Sequence, residues 1–190
     1  MATETPDEAA SSGLSPHHDG ADTSPPMMAP TPSGTADADS APSIEDALRL
    51  AIEAHHGSSD AAGEPKILHP LRLLARVSSE EERLVAILHD ALEDSDLEAD
   101  DLRRRGFREE VVDAVDRMTK RPDQNDDELE SAYLRRVSES PLAARVKLLD
   151  LEDNIQTRLR GDVSDEDLRG IQKRQRQRML LTSYLEARSR

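Results

Sequence analysis

The chain has 190 residues, enough for one domain with a real core and some extension. It contains no cysteine, which excludes disulfides and thiolate metal sites and leaves nitrogen and oxygen as the only donors for a transition metal. The formal net charge of -15 argues against tight nonspecific binding to nucleic acid or anionic membranes, while a small phosphorylated ligand in a local basic pocket stays open.

No stretch approaches the roughly 18 apolar residues of a membrane span, and the N-terminus lacks the basic start and apolar run of a secretory signal, so a cytoplasmic location is expected. The first 42 residues hold seven of the eleven prolines and seven acids without a Lys or Arg, leaving 33 acids against 25 bases for the remainder. Such a segment cannot offset its ordering entropy by burial, and residues 1–42 are expected to form a disordered tail, with His17 and His18 given no role.

From Ser43 the chain reads as a series of helices, at 44–57, 68–77, 79–93, 97–105, 108–119, 127–139, 141–158 and 165–188. "SIED" (43–46) and "SSEE" (78–81) open two of them as capping boxes, the second through Ser78 and Glu81. Gly106 fits the position just past a helix end, and Pro141 fits a first helical turn. Asp165, Glu166 and Asp167 open the last helix and Lys173, Arg174, Arg176 and Arg178 follow, in line with the macrodipole. With Phe107, Tyr133 and Tyr184 as the only aromatics, the core must be aliphatic, which suits packed helices. The expected fold is all-α, with a domain at 43–190.

Three stretches carry chemistry. In "ILHDALEDSD" (87–96), His89 and Asp90 border an apolar stripe of Leu84, Val85, Leu88, Ala91 and Leu92. Glu93 and Asp94 follow each of them by four residues, so a continuous helix would gather four groups with acid, base or ligand capacity on one surface. Crowded carboxylates repel unless a cation sits among them. In "VKLLDLEDN" (146–154), Asp150 interrupts an apolar run, with Asn154 and Thr157 on the same face and Glu152 and Asp153 read as solvated acids. In "AGEPKILHPLRLL" (62–74), Gly63 and Pro65 mark a turn, and His69 stands before Pro70 at a helix start with its ring free to point inward. His69, His89, Asp90 and Asp150 together supply two imidazoles and two carboxylates, a set suited to Mn²⁺, Fe²⁺, Zn²⁺ or Mg²⁺.

The stretches "AHHG" (54–57), "GEPKILHP" (63–70), "AILHDALEDS" (86–95), "VVDAVDRMTK" (111–120) and "RVKLLDLEDN" (145–154) resemble the HD-domain metal-dependent phosphohydrolases of RelA/SpoT type, especially the small stand-alone alarmone hydrolases. That resemblance runs across nearly all of 44–185 and implies an all-helical HD domain. It implies one divalent metal, usually Mn²⁺, held by His69, His89, Asp90 and Asp150. It implies water activation by Glu93 and Asp94, and a nucleotide beside Asn154 and Thr157. The reaction it implies is removal of the 3′-pyrophosphate of guanosine 3′,5′-bis(diphosphate), a small-molecule partner of the stringent response.

Where the family usually carries a basic pair between "AHxG" and "GEP" and a tyrosine after "GEP", this chain has Asp60, Ala61 and Lys66. Lys66 can return the missing charge from a neighbouring position, and Lys120 and Lys147, with Arg72, are the other cations near matched motifs. These departures keep open a different 3′-phosphorylated nucleotide as substrate, or a nucleotide-binding regulator without catalysis. His55 is expected to act behind the metal ligands and His56 to face solvent.

Overall fold

In the computed structural model the residues described are 41–120 and 127–188. Among them there are eight helices and no strand, so the fold is all-α. The helices are α1 (Ile44–Ala54), α2 (Leu68–Leu74), α3 (Glu80–Leu88), α4 (Ala99–Arg104), α5 (Glu109–Met118), α6 (Asp127–Ser138), α7 (Pro141–Arg158) and α8 (Asp165–Arg188). The segment expected to be a disordered tail lies outside the described residues but for its last two.

Apolar spacing explains the packing. Leu84, Val85, Ile87 and Leu88 bury α3 on nearly every side, and α3 accordingly packs against α1, α2, α5 and α7. Around it lie Ala47, Leu50 and Ala51 of α1, Leu73 of α2, Val111, Val112 and Val115 of α5, and Val146 of α7. α8 runs along α6 and α7. Tyr133 is buried in this aliphatic core, and its hydroxyl donates to the Met118 carbonyl at the end of α5 (2.8 Å).

The helix ends follow local chemistry. Ser43 and Asp46 form the expected capping box on α1, worth about 1 kcal/mol. On α3 the box falls one residue later than expected, on Ser79 and Glu82. Glu82 is the acid of the pair that is buried, where it accepts from the Ser78 and Ser79 amides and pairs with Arg145, whereas Glu81 points out to Arg108 (2.8 Å). Gly106, at φ +87°, lets Phe107 N donate back to Leu102 O (3.1 Å) in a Schellman closure. Ser140 caps α7 and Pro141 occupies its first turn.

α3 departs most from expectation, ending at Leu88 instead of continuing to 93. The His89 ring explains the stop: its Nδ1–H donates to Ala86 O (2.9 Å), the carbonyl that a continuing helix would give to the amide of Asp90. His89 to Asp94 therefore fold as consecutive turns, with Asp94 N on Asp90 O (3.1 Å). α1 also stops early, at Ala54, where Gly57 (φ +74°) turns the chain into a loop closed by an antiparallel bridge between Ser59 and Pro65.

Candidate metal centre and active-site pocket

The His69, His89 and Asp90 side chains converge, with one ligand atom from each lying within 4.8 Å of the others. The two Nε2 atoms are 3.2 Å apart. Asp150 Oδ1 lies 3.0 Å from His69 Nε2 and 3.7 Å from His89 Nε2, and Asp90 Oδ1 lies 3.4 Å from His89 Nε2. Metal bonds of about 2.0–2.2 Å to nitrogen or oxygen put neighbouring ligand atoms about 3–3.6 Å apart, so these separations suit one shared cation.

The proton positions agree. His89 Nδ1 faces a carbonyl, which only accepts, and His69 Nδ1 donates to Asp153 Oδ2 (2.7 Å). In the neutral rings both Nε2 atoms then carry lone pairs aimed at one another, and only a proton or a metal ion can occupy the point between them. Burial disfavours a charged His69, yet hydrogen bonds to Asp150 and Asp153 outweigh it and push its pKa up to about 9. Asp150 is held well below the usual carboxylate range against its own burial, by Lys147 first and then by the two imidazoles. The cluster thus demands positive charge. His69, His89, Asp90 and Asp150 could hold a divalent ion there.

Asp153 is one residue of the cluster that sequence reasoning misread. It is not a solvated acid: it is 5% exposed, grips His69, and accepts from Arg72 Nε on both oxygens (3.0 Å each). Beside Glu152, a half-exposed partner of Arg76, nothing in the local pattern distinguishes it. Only the position three residues after Asp150 gives a signal.

Helix α7 brings Asp150, Asn154, Thr157 and Arg158 along one wall of a cavity of about 280 Å³. Asn154 Nδ2 donates to Asp150 Oδ1 (2.6 Å), and Lys147 Nζ lies 2.8 Å from Asp150 Oδ2 and 5.5 Å from the Tyr133 ring centre. Lys147 is buried rather than a surface charge. Thr157 accepts from Arg72 Nη2 (3.1 Å). Glu93 and Lys120 enter from another side, where Glu93 Oε1 accepts the Lys120 amide (2.5 Å) and the Lys120 ammonium stands 3.8 Å from Oε2.

Glu93 and Asp94 separate. Glu93 lines the cavity, whereas Asp94 binds Lys66 Nζ (2.6 Å) and lies 2.8 Å from His55 Nδ1. Burial opposes ionisation of Asp94, and His55 and Lys66 nevertheless hold its pKa down. His55 is buried and His56 exposed. Asp60 folds onto its own loop, accepting from the Ala62 and Glu64 amides (2.9 and 3.0 Å), and lines the mouth with Ala61 and Lys66. Arg158 and, from α8, Arg174 and Gln177 also line the cavity, and sequence reasoning missed these three. Arg158 could have been found by following the Asp150 and Asn154 face one turn further.

No protein-family model matches the chain. It is 32% identical over 122 residues to a guanosine-3′,5′-bis(diphosphate) 3′-pyrophosphohydrolase of Aquifex aeolicus, covering 60% of this chain and 17% of that protein. Proteins of the same name show 35% identity over 82 residues in Borreliella burgdorferi (41% of this chain, 12% of that one) and 40% over 87 residues in Vibrio cholerae (42% and 12%). The chain thus spans less than a fifth of the length of these relatives. Among the described residues no helix is long and apolar enough to cross a membrane.

Proposed function

We propose that the protein is a metal-dependent phosphohydrolase that removes the 3′-pyrophosphate of guanosine 3′,5′-bis(diphosphate). The observation that carries this is the meeting of His69, His89, Asp90 and Asp150, from three separate segments, at ligand-to-ligand distances beside a cavity with cationic walls. Relatives named for that reaction support the substrate. A divalent cation, Mn²⁺ by the family resemblance, would be held by His69, His89, Asp90 and Asp150 and would supply an acidified water and withdrawal of charge from phosphoryl oxygens.

The chain's own groups do the rest. Asp153 fixes the His69 tautomer and ring angle, while Lys147 and Asn154 hold Asp150 ionised and oriented. Glu93 faces the cavity and takes the proton of the attacking water as its oxygen bonds to the phosphorus attached to O3′. The O3′–P bond breaks, O3′ takes a proton from solvent while Glu93 returns its own to solvent, and pyrophosphate leaves carrying the water oxygen. Asp94 supports this chemistry from behind by anchoring Lys66 at the pocket wall. Lys120 faces the phosphates, Lys66 and Lys147 add positive charge to the same wall while paired with Asp94 and Asp150, and Asn154 and Thr157 line the nucleotide's path.

The test is a panel of nucleotides incubated with purified protein and Mn²⁺. Release of pyrophosphate from the bis(diphosphate) supports the assignment, and turnover of other nucleotides alone rejects it. A second reading, another 3′-phosphorylated nucleotide, is favoured by the mouth of the pocket. There Asp60 is committed to its loop and Lys66 to Asp94, so the usual basic pair has no free equivalent.

A further inference from the structure

Tyr133 is one of three aromatic residues in the chain, and it is buried in an interior that is almost wholly aliphatic. Around its ring centre stand Lys147 Nζ at 5.5 Å, Arg136 Cζ at 5.6 Å and Lys120 Nζ at 5.9 Å. Lys120 and Lys147 reach the cavity from different elements, and like charges repel. The charge of Lys147 first, and then desolvation, push the Lys120 pKa down from the ordinary lysine value. The negative faces of the ring offset that repulsion and give both ammoniums one shared surface.

The hydroxyl has a separate task. Burial pushes the phenol's pKa up, so it stays neutral and donates to Met118 O (2.8 Å). Farther along α6, Arg136 Nη2 donates to Thr119 O (2.7 Å), so this helix fixes two successive carbonyls at the end of α5. The next residue is Lys120, whose amide donates to Glu93 Oε1 (2.5 Å). At the ring, Lys147 reaches the other way, to Asp150 Oδ2 (2.8 Å). Tyr133 thus stands behind both Glu93 and Asp150.

We propose that Tyr133 is a positioning residue: its hydroxyl sets the end of α5 so that the Lys120 amide holds Glu93, and its ring holds Lys147 on Asp150. The proposal rests on the function proposed above and adds to its machinery a side chain buried behind the cavity. The two ends of one residue then serve the general base and the metal cluster separately, which makes them separable by substitution.

The experiment uses the full chain. Tyr133→Phe removes the hydroxyl and keeps the ring, so hydrogen exchange of the Lys120 amide, read by NMR, should quicken about fivefold, the scale of one neutral hydrogen bond. Hydrolysis of the bis(diphosphate) should slow by a similar factor in kcat with KM unchanged, and Mn²⁺ affinity should stay at the wild-type value. In a Glu93→Gln background the same change should cost no further kcat, whereas a general loosening of the fold would cost it in both. Tyr133→Leu removes the ring too and should also weaken Mn²⁺ binding about tenfold, the scale of losing support behind a metal ligand. Leu134→Ala, at the buried neighbour on α6, should lower the melting temperature and leave Lys120 exchange and Mn²⁺ affinity alone. Wild-type exchange and turnover in Tyr133→Phe, or equal Mn²⁺ affinity in Tyr133→Leu and Leu134→Ala, overturns the role. If Tyr133→Leu does not fold, Tyr133→Phe decides alone. The expected changes in exchange and Mn²⁺ affinity, in a protein that releases no pyrophosphate, would retain the role of Tyr133 and reject the function.

Discussion

Replacing Asp153 by Asn keeps size and shape but removes the charge that holds His69. The carboxylate receives His69 Nδ1 at 2.7 Å and Arg72 Nε at 3.0 Å, so the substitution breaks a charge-assisted contact at each. Loss of a carboxylate behind a metal-binding histidine costs about 10–100-fold in metal affinity, which is about 1.4–2.7 kcal/mol. An independent route, a hydrogen bond to a charged group at about 1.5–3 kcal/mol, reaches the same range. Arg72 adds little because it is partly exposed and keeps Thr157 as a partner. Calorimetric titration of Asp153→Asn with Mn²⁺ should show that weakening, alongside a melting temperature showing the chain folded. The neighbouring Glu152→Gln, which only breaks an exposed 2.8 Å pair with Arg76, should leave metal affinity intact. Wild-type Mn²⁺ affinity in Asp153→Asn would refute the role given to this carboxylate.

Glu93→Gln should retain bound Mn²⁺ by elemental analysis and slow hydrolysis by about 10²-fold or more, the usual weight of a general base; unchanged turnover would remove Glu93 from the chemistry. Asp90→Ala should lose both metal content and turnover, and full activity would contradict the proposed ligand set. Glu82→Gln should lower stability by about 1–3 kcal/mol at neutral pH, because the Ser78 and Ser79 amides and Arg145 lose an ionised acceptor. The hydrogen bonds and Arg145 hold the Glu82 pKa below its ordinary 4.5 despite the opposing effect of burial. A folded pKa that is depressed gives stability above the unfolded value and loses it as pH falls through the folded one. Urea melts should therefore show the gap between wild type and Glu82→Gln shrinking below about pH 4. An equal gap at both pH values would place the effect elsewhere.

The helical fold was legible where an end carries a local signal: Ser43 with Asp46, Gly106 and Pro141. Those signals act within one turn and survive packing. The converging His69, His89, Asp90 and Asp150 were legible because a polar group inside an apolar run has few uses. What escaped reading depends on distant partners. Asp153 and Glu152 are adjacent acids on one amphipathic helix, and only the approach of α2 makes one of them a buried support for His69. The break after Leu88 was invisible for a similar reason, since it comes from a side chain taking a main-chain carbonyl rather than from proline or glycine. Glu93 and Asp94 consequently serve different neighbours, Lys120 and Lys66, although their spacing suggested a joint surface.

Helix α7 has the character of a ruler. Asp150 and Arg158 are graduations on one rigid rod, so the reach from the imidazole cluster to the Arg158 side of the cavity is set in steps of a turn. One residue inserted between Asn154 and Thr157 would swing everything beyond it by about 100° and turn Arg158 out of register with the imidazoles. Adapting this protein to a longer or shorter ligand therefore means exchanging side chains at the existing marks, with the rod itself left uncut.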